Sequence, residues 1–269
     1  MGRERPVGTV TRGTTNPNRL RRCDRWLLAT QAWRLRERPV IVDLGYGASP
    51  VTALELHDRV CRVRPQVEVI GIEIDPGRVA AAAPLARPGL SFALGGFEIP
   101  VPGQVDVVRA FNVLRQYDES QVGGAWDLVR SRLTPAGLFI DGTCDEIGRL
   151  ATWVAVTADG PQTLTLSMRL GGLEDPSVIA ERLPKALIHR NVPGEAVHDL
   201  LDAMASAWRR ASPHSAYGRR QQWLQMVRSL RADWPVRGDE KRWRLGELTL
   251  DWSAIAPTRN VSKNSRNVT

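Results

Sequence analysis

The sequence predicts an α/β protein built on a mostly parallel sheet with helices on both faces. Short β-branched runs such as Val40-Ile41-Val42 read as strands buried on both sides. They alternate with segments whose apolar residues recur at helical spacing, the order expected of a parallel sheet covered twice. The first strand, helix and strand span about 35 residues, the size of one βαβ unit. At 269 residues and 29.8 kDa, with 42% hydrophobic and 25% charged residues, the chain has room for one such domain with additions.

The elements follow in order. Residues 1–39 are an Arg-rich leader with ten Arg and three acidic residues. Asn16-Pro17 reads as N-cap and first helical position. Leu20, Cys23, Leu27, Leu28 and Leu35 then predict one helix running to about Arg36. Pro39 stops it before the first strand. Ser49 is the expected N-cap of a helix opening at Pro50, with Leu56, Val60 and Val63 on one face. Residues 68–74 form the second strand, closed by Asp75-Pro76-Gly77. An Ala-rich helix at 79–86, a weak strand at 90–94 and a strand at 105–111 come next. Val122, Ala125, Trp126 and Val129 mark a helix that stops at Thr134-Pro135, before a fifth strand at 138–141.

Beyond residue 150 the pattern changes. Residues 152–157 and 163–169 read as strands joined by Asp159-Gly160, a hairpin signal. After Gly171-Gly172 the chain reads as mainly helical, with one amphipathic face through Val197, Leu201, Met204 and Trp208 and another through Trp223, Leu224, Val227 and Leu230. Leu248, Leu250 and Trp252 alternate as a last short strand. The expected divisions are a helical leader at 1–39, a core at 40–172, a mainly helical addition at 173–256 and a disordered tail at 257–269.

Composition narrows the function classes. No run of about 18 apolar residues exists, so no membrane span is expected. The start MGRERPVGTV has no apolar core for a secretory signal peptide and lacks the Ser or Thr of a myristoylation signal. Cys23, Cys61 and Cys144 are far apart and odd in number, which gives no metal spacing, no disulfide framework and a cytoplasmic setting as the expectation. The net charge of +8 invites a nucleic-acid reading, but only Lys185, Lys241 and Lys263 among the 37 basic residues are lysine. That excess of Arg, with runs such as AAAAPLARP, is also the bias of a GC-rich genome.

The most informative stretch is VIVDLGYGASP followed by VIGIEIDP. A glycine-rich turn after the first strand lets a ligand approach the backbone, and the helix after it offers free N–H groups. Glu73, ending the second strand, is placed to accept both hydroxyls of a ribose. A dinucleotide fold would want a third glycine where Pro50 stands.

At these residues the sequence resembles the class I S-adenosylmethionine-dependent methyltransferases. In that superfamily an acidic residue, x, Gly, x, Gly closes strand one and an acidic residue closes strand two. The resemblance covers about residues 40–170 and implies a Rossmann-like, seven-stranded, mostly parallel sheet with a terminal antiparallel hairpin. VDLGYG with VIGIEIDP is also faintly similar to the tRNA guanine-N7 methyltransferases, without their aromatic and basic signature after strand four. The whole chain, including RGTTNPNRLRR, looks like a methyltransferase-like group of high-GC bacteria.

The resemblance implies S-adenosyl-L-methionine as cofactor, with the following roles. Gly45, Tyr46 and Gly47 line the methionine part, and Asp43 orients that turn or reaches the amino group through water. Glu73 holds the ribose and Ile74 covers one adenine face. Gly95-Gly96-Phe97-Glu98 stands near the adenine amine, where Phe97 stacks and Glu98 supplies a polar contact in place of the usual Asp. Asn112, ending strand four, runs under the methyl group or caps its loop.

No general base stands out among Tyr117, Asp118, Asp141 and Asp145, which follow strands four and five. His57 and His198 fall in amphipathic helices and read as surface; His189 and His214 lie in turns. Arg209, Arg210, Arg219 and Arg220, interleaved with Trp208 and Trp223, form either a solvated face over a Trp core or a phosphate-binding surface. The leader is expected to lie across the cleft as a lid, with Thr14, Thr15, Asn18 and Arg19 facing the substrate or the cofactor carboxylate; the alternative is a capped helix on the sheet edge, and Tyr117, after strand four, is a further substrate-binding candidate. A lid implies that removing residues 1–15 leaves the sheet folded, weakens cofactor binding modestly and lowers turnover severely. The expected activity is methyl transfer to a small molecule, with nucleic acid open as a second partner class. The alternatives are an RNA methyltransferase and a cofactor-binding protein without transferase activity.

Overall fold

The computed structural model describes residues 6–10, 15–30 and 32–258. Among the described residues nine strands form one mixed sheet. β1 (Val40–Leu44), β2 (Glu68–Glu73), β3 (Leu90–Leu94), β4 (Val105–Phe111) and β5 (Leu133–Cys144) run parallel in the order β3-β2-β1-β4-β5. β6 (Leu150–Thr157), β7 (Gly160–Met168), β8 (Val236–Arg237) and β9 (Glu247–Asp251) extend it antiparallel, with β9 between β7 and β8. The seven-stranded sheet ending in a hairpin is thus corrected to nine strands. The reason is that the chain returns to the sheet after its C-terminal helices and pairs β9 with β7.

The helices are α1 (Arg21–Leu27), α2 (Val51–Val60), α3 (Pro76–Ala82), α4 (Glu119–Arg130), α5 (Lys185–Ile188), α6 (Ala196–Arg210), α7 (Arg219–Leu230) and α8 (Glu240–Trp243). Strand alternation sorts them into two layers. Ile41, Val107 and Ile140 bury one sheet face against Cys23 and Leu27 of α1 and Leu56 and Val60 of α2. Val42, Val108 and Phe139 bury the other against Trp126 of α4, Leu200 of α6 and Trp223 of α7.

Several boundaries differ from expectation for local reasons. The leader helix ends at Leu27 rather than Arg36, because the Thr30 hydroxyl and the Trp33 indole both donate to the Leu27 carbonyl, at 2.7 and 3.0 Å, and turn the chain. Pro50, not Ser49, is the N-cap of α2. Asp75 caps α3 by accepting from the Arg78 N–H at 3.0 Å. Thr134-Pro135 does not precede β5 but lies inside it, in an irregularity where Val105 pairs with Leu133 and Val107 with Leu138. Pro135 therefore removes no ladder donor the sheet needs. Of the expected tail, Pro257 and Thr258 are described, and Thr258 donates through its N–H and hydroxyl to Glu195 Oε2; residues 259–269 lie outside the described residues.

The strand order positions the site. β2 and β3 continue to one side of β1, and β4 and β5 to the other. The chain reverses direction across the sheet between β1 and β4, and ligands of open α/β sheets bind beyond the strand ends at such a point.

Candidate functional site

β1 runs into Gly45-Tyr46-Gly47, where both glycines take positive φ, +70° and +85°. A Cβ on Gly45 would fall 2.6 Å from Val113 Cγ2, so the turn presses against the loop after β4. The Gly47 N–H donates to Glu73 Oε2 at 2.9 Å, and the Ile74 N–H donates to Glu73 Oε1 at 3.0 Å. Arg78 pairs with the same carboxylate at 3.6 Å. Glu73, only 1% exposed, therefore ties the end of β2 to the turn after β1.

Two cavities meet at Leu44 and Gly45. The smaller, of about 20 Å³, is bounded by Glu73, Ile74, Gly96, Phe97 and Tyr117 and is capped by the described leader residues Val7 to Thr9. The larger, of about 560 Å³, is lined by Asp43, Thr15, Arg19, Asn112, Arg115 and Gln116, with Tyr46 and Gly47 on the turn side.

Beneath the turn lies a buried ionic network. Asp43 and Arg109 are register partners on β1 and β4, so their side chains share the face covered by α1 and α2. Arg109 is fully buried, donates through Nε to Asp43 Oδ1 at 2.9 Å and pairs with Asp24 of α1. The Thr52 hydroxyl donates to Asp43 Oδ2 at 2.7 Å, and Arg59 of α2 also pairs with Asp24. Burial opposes the Arg109 charge, but the Asp24 and Asp43 carboxylates outweigh it and push its pKa up. Burial raises the Asp43 carboxyl, against Arg109 and Thr52.

The expected site residues divide between the cavities. Glu73, Ile74, Gly96 and Phe97 gather at the small one, and Asp43, Gly47, Asn112, Thr15 and Arg19 at the large one. Asn112 has φ +59° and its Oδ1 accepts from the Cys144 N–H at 3.0 Å, so it shapes the loop after β4 as well as facing the cavity. The Thr15 hydroxyl donates to the Tyr46 carbonyl at 3.2 Å, and Arg19 Nε donates to the Asp145 carbonyl at 2.9 Å. Thr14 lies outside the described residues.

Two placements, of Asn18 and Tyr117, differ from the sequence reading. Asn18 turns away from the cleft: its N–H donates to Glu55 Oε1 and its Oδ1 accepts from Arg59, both on α2. The ring of Tyr46 packs edge-on against Phe92 and its hydroxyl donates to the Arg78 carbonyl, while the residue still lines the large cavity beside Gly45 and Gly47. Tyr117 stands at the small cavity, edge-on to Phe97, rather than at the large one.

The four groups weighed as a base are engaged elsewhere. Tyr117 accepts from the Thr9 N–H, Asp118 forms a capping box with Gln121, Asp141 is buried against Trp126 and Asp145 accepts from the Arg149 N–H. His57, expected at the surface, is 8% exposed and sits against Arg87. Among the described residues no cluster of side chains fit to hold a metal occurs, and no helix is long and apolar enough to cross a membrane. Sequence reasoning missed Val7 to Thr9, Arg115 and Gln116. Val7 and Thr9 act through backbone groups, which leave no mark in side-chain pattern.

No protein-family model matches this chain, and no curated protein does. Among solved structures, it is similar to the mitomycin 7-O-methyltransferase, with 17% identity and a TM-score of 0.36 over 46% of this chain and 36% of that one. It is similar to the CcbJ methyltransferase from Streptomyces caelestis, with 19% identity and a TM-score of 0.36 over 56% and 65%. Human N-acetylserotonin methyltransferase, in complex with SAM, matches at 24% identity and a TM-score of 0.34 over 47% and 35%. The first and third of these overlaps span about a third of the other protein's length.

Proposed function

We propose that this chain is a class I S-adenosylmethionine-dependent methyltransferase acting on a small-molecule acceptor. One observation carries the reading. At the reversal point of a parallel sheet, a positive-φ glycine turn is hydrogen-bonded through Gly47 to the buried acidic residue that ends the next strand, Glu73.

The residues fit the cofactor by the chemistry of their donor set. Glu73 lines the small cavity together with Gly45 and Ile74. Beside it, Glu98 Oε2 and the Phe97 N–H already hold a peptide N–H and C=O, the donor–acceptor pair that an adenine edge also presents. Glu73 holds the ribose, Ile74 and Phe97 flank the base, and Gly45 to Gly47 give the methionine part access to the backbone. Asp43 acts through the turn, fixed by Arg109 and Thr52.

When bound, the cofactor supplies a methyl group already activated on a sulfonium. The chain's residues then have to align the acceptor and exclude water. Thr15, Arg19, Asn112, Arg115 and Gln116 surround a cavity of about 560 Å³, within the range of small-molecule sites. Among its described lining residues the carboxylate is Asp43, held in its ion pair, and there is no imidazole. Alignment, rather than proton abstraction by a carboxylate or histidine, carries the reaction.

Calorimetry tests the cofactor. The unaltered chain is expected to bind S-adenosylhomocysteine and not NADH, and Glu73→Ala to weaken that binding by about 1.5–3 kcal/mol. Unchanged affinity overturns the role of Glu73, and tight NADH binding overturns the cofactor class. Mass spectrometry of metabolites from cells with and without the protein separates a transferase from a bare cofactor binder. A transferase leaves a metabolite heavier by one methylene.

A further inference from the structure

The leader enters the small cavity as a strap. The Val7 N–H donates to Glu98 Oε2 at 2.8 Å, and the Val7 carbonyl accepts from the Phe97 N–H at 3.0 Å. The Thr9 N–H donates to the Tyr117 hydroxyl at 2.6 Å. Gly8 lies between, with φ +147°; a Cβ there would fall 2.9 Å from the Tyr117 oxygen and 3.3 Å from Ile74 Cδ1. On the opposite wall a Cβ on Gly96 would fall 2.0 Å from the Val7 carbonyl oxygen. Glycine on both sides is what lets the two backbones touch. With the strap in place about 20 Å³ is left, room for about one water.

We propose that Val7-Gly8-Thr9 is a self-inhibitory strap that competes with the cofactor's base for this subsite. The inference rests on the cofactor reading above. Val7 gives its N–H to Glu98 and its C=O to Phe97, and an adenine gives the same two atoms an exocyclic N–H and a ring nitrogen. Both cannot be satisfied together, and the space left admits no purine. The strap is held by three hydrogen bonds, while the Val7 side chain stays 44% exposed and buries little. Such a segment opens at small free-energy cost, so it lowers apparent cofactor affinity by the fraction of time it is closed without abolishing binding. This reverses the sign expected of a lid: removing the strap tightens cofactor binding.

The experiment compares S-adenosylhomocysteine binding by calorimetry in three proteins, the unaltered chain, the chain lacking residues 1–10 and the full-length Gly8→Val variant. Thermal melts without ligand check each fold. Both altered proteins are expected to bind about tenfold tighter, corresponding to a strap open in about a tenth of unaltered molecules. In the unaltered chain, hydrogen exchange over residues 6–10 is expected to speed up when S-adenosylhomocysteine is added. Equal affinity in all three overturns the strap and leaves the cofactor reading standing. Weaker binding after truncation, or slower exchange with ligand, shows a strap that closes over the cofactor and overturns competition. Absence of binding in all three overturns the cofactor reading and the strap with it.

Discussion

Asp141 sits on β5 at 2% exposure, and its carboxylate accepts from the Trp126 indole at 3.0 Å. Burial pushes its carboxyl up to about 7, against the indole bond, which acts the other way. In the unfolded chain it ionises near the ordinary value of about 3.9. Between those values the unfolded state has released a proton that the folded state keeps, so the contribution of Asp141 to stability falls as pH rises from about 4 to 7 and levels off above. Asp141→Asn is expected to remove that slope. Thermal melts across this window should show the variant gaining on the parent as pH rises; a constant difference between the two would disprove the assignment. Strand parity turns Asp141 toward α4, on the same face as Phe139. The sequence pattern ends the strand at Asp141, whereas β5 continues to Cys144, so the residue lies inside the strand and not at its end. Gly45, Gly47 and Glu73 were legible because turn chemistry is local. Arg109 leaves a signal in the sequence that apolar periodicity does not capture, a lone cation in the run VDVVRAF that demands buried acids.

At the scale of elements, that cation docks a helix. Arg109 on β4 joins Asp24 of α1 to Asp43 beneath the glycine turn, so α1 is held to the sheet by charge as well as by Cys23 and Leu27. Arg109→Met leaves two acidic residues buried without their shared partner, a loss on the order of 3–5 kcal/mol. The melting midpoint is expected to fall by about 6–15 °C for a chain of this size. Arg109→Lys should recover only part of it, because one ammonium cannot reproduce a guanidinium fork. Full recovery by Lys, or no fall with Met, would show that the network does not hold α1. β1 to β4 were legible to within two residues: β1 and β4 are buried runs, while the half-exposed β3 is marked by its short apolar stretch alone. β5 was cut short in prediction because Pro135 reads as a stop, whereas a register irregularity accommodates it. The leader helix was overextended because Leu35 fits the period, while the bonds of Thr30 and Trp33 to the Leu27 carbonyl are not periodic. β8, two residues long, offers no pattern to read.

Across the whole molecule the charge is +8, and its placement decides what it does. Arg209 and Arg210 end α6, Arg219 and Arg220 open α7, and all four are exposed. They lie over a packed interior: Trp208 and Trp223 are 4% and 0% exposed, so neither ring is free to stack on a base. Arg219 lies over the Trp208 ring at 5.8 Å and donates to Gln222 Oε1, while Arg210 donates to Ser206 Oγ. These contacts describe a solvated cationic face with its aromatics turned inward. Such a face attracts phosphate by charge alone, and charge alone is paid back by salt. Four phosphate contacts on a single strand give a log–log slope of about −3, at about −0.7 per contact. RNA affinity is therefore expected to fall by about 300-fold between about 20 and 150 mM salt, with no preference among sequences. The measurement is a filter-binding titration of two unrelated RNAs at both salt concentrations. Binding of one RNA that survives the higher salt, and that is lost in an Arg209→Ala, Arg210→Ala, Arg219→Ala, Arg220→Ala variant, would make this face an RNA site and move the acceptor from small molecule to nucleic acid.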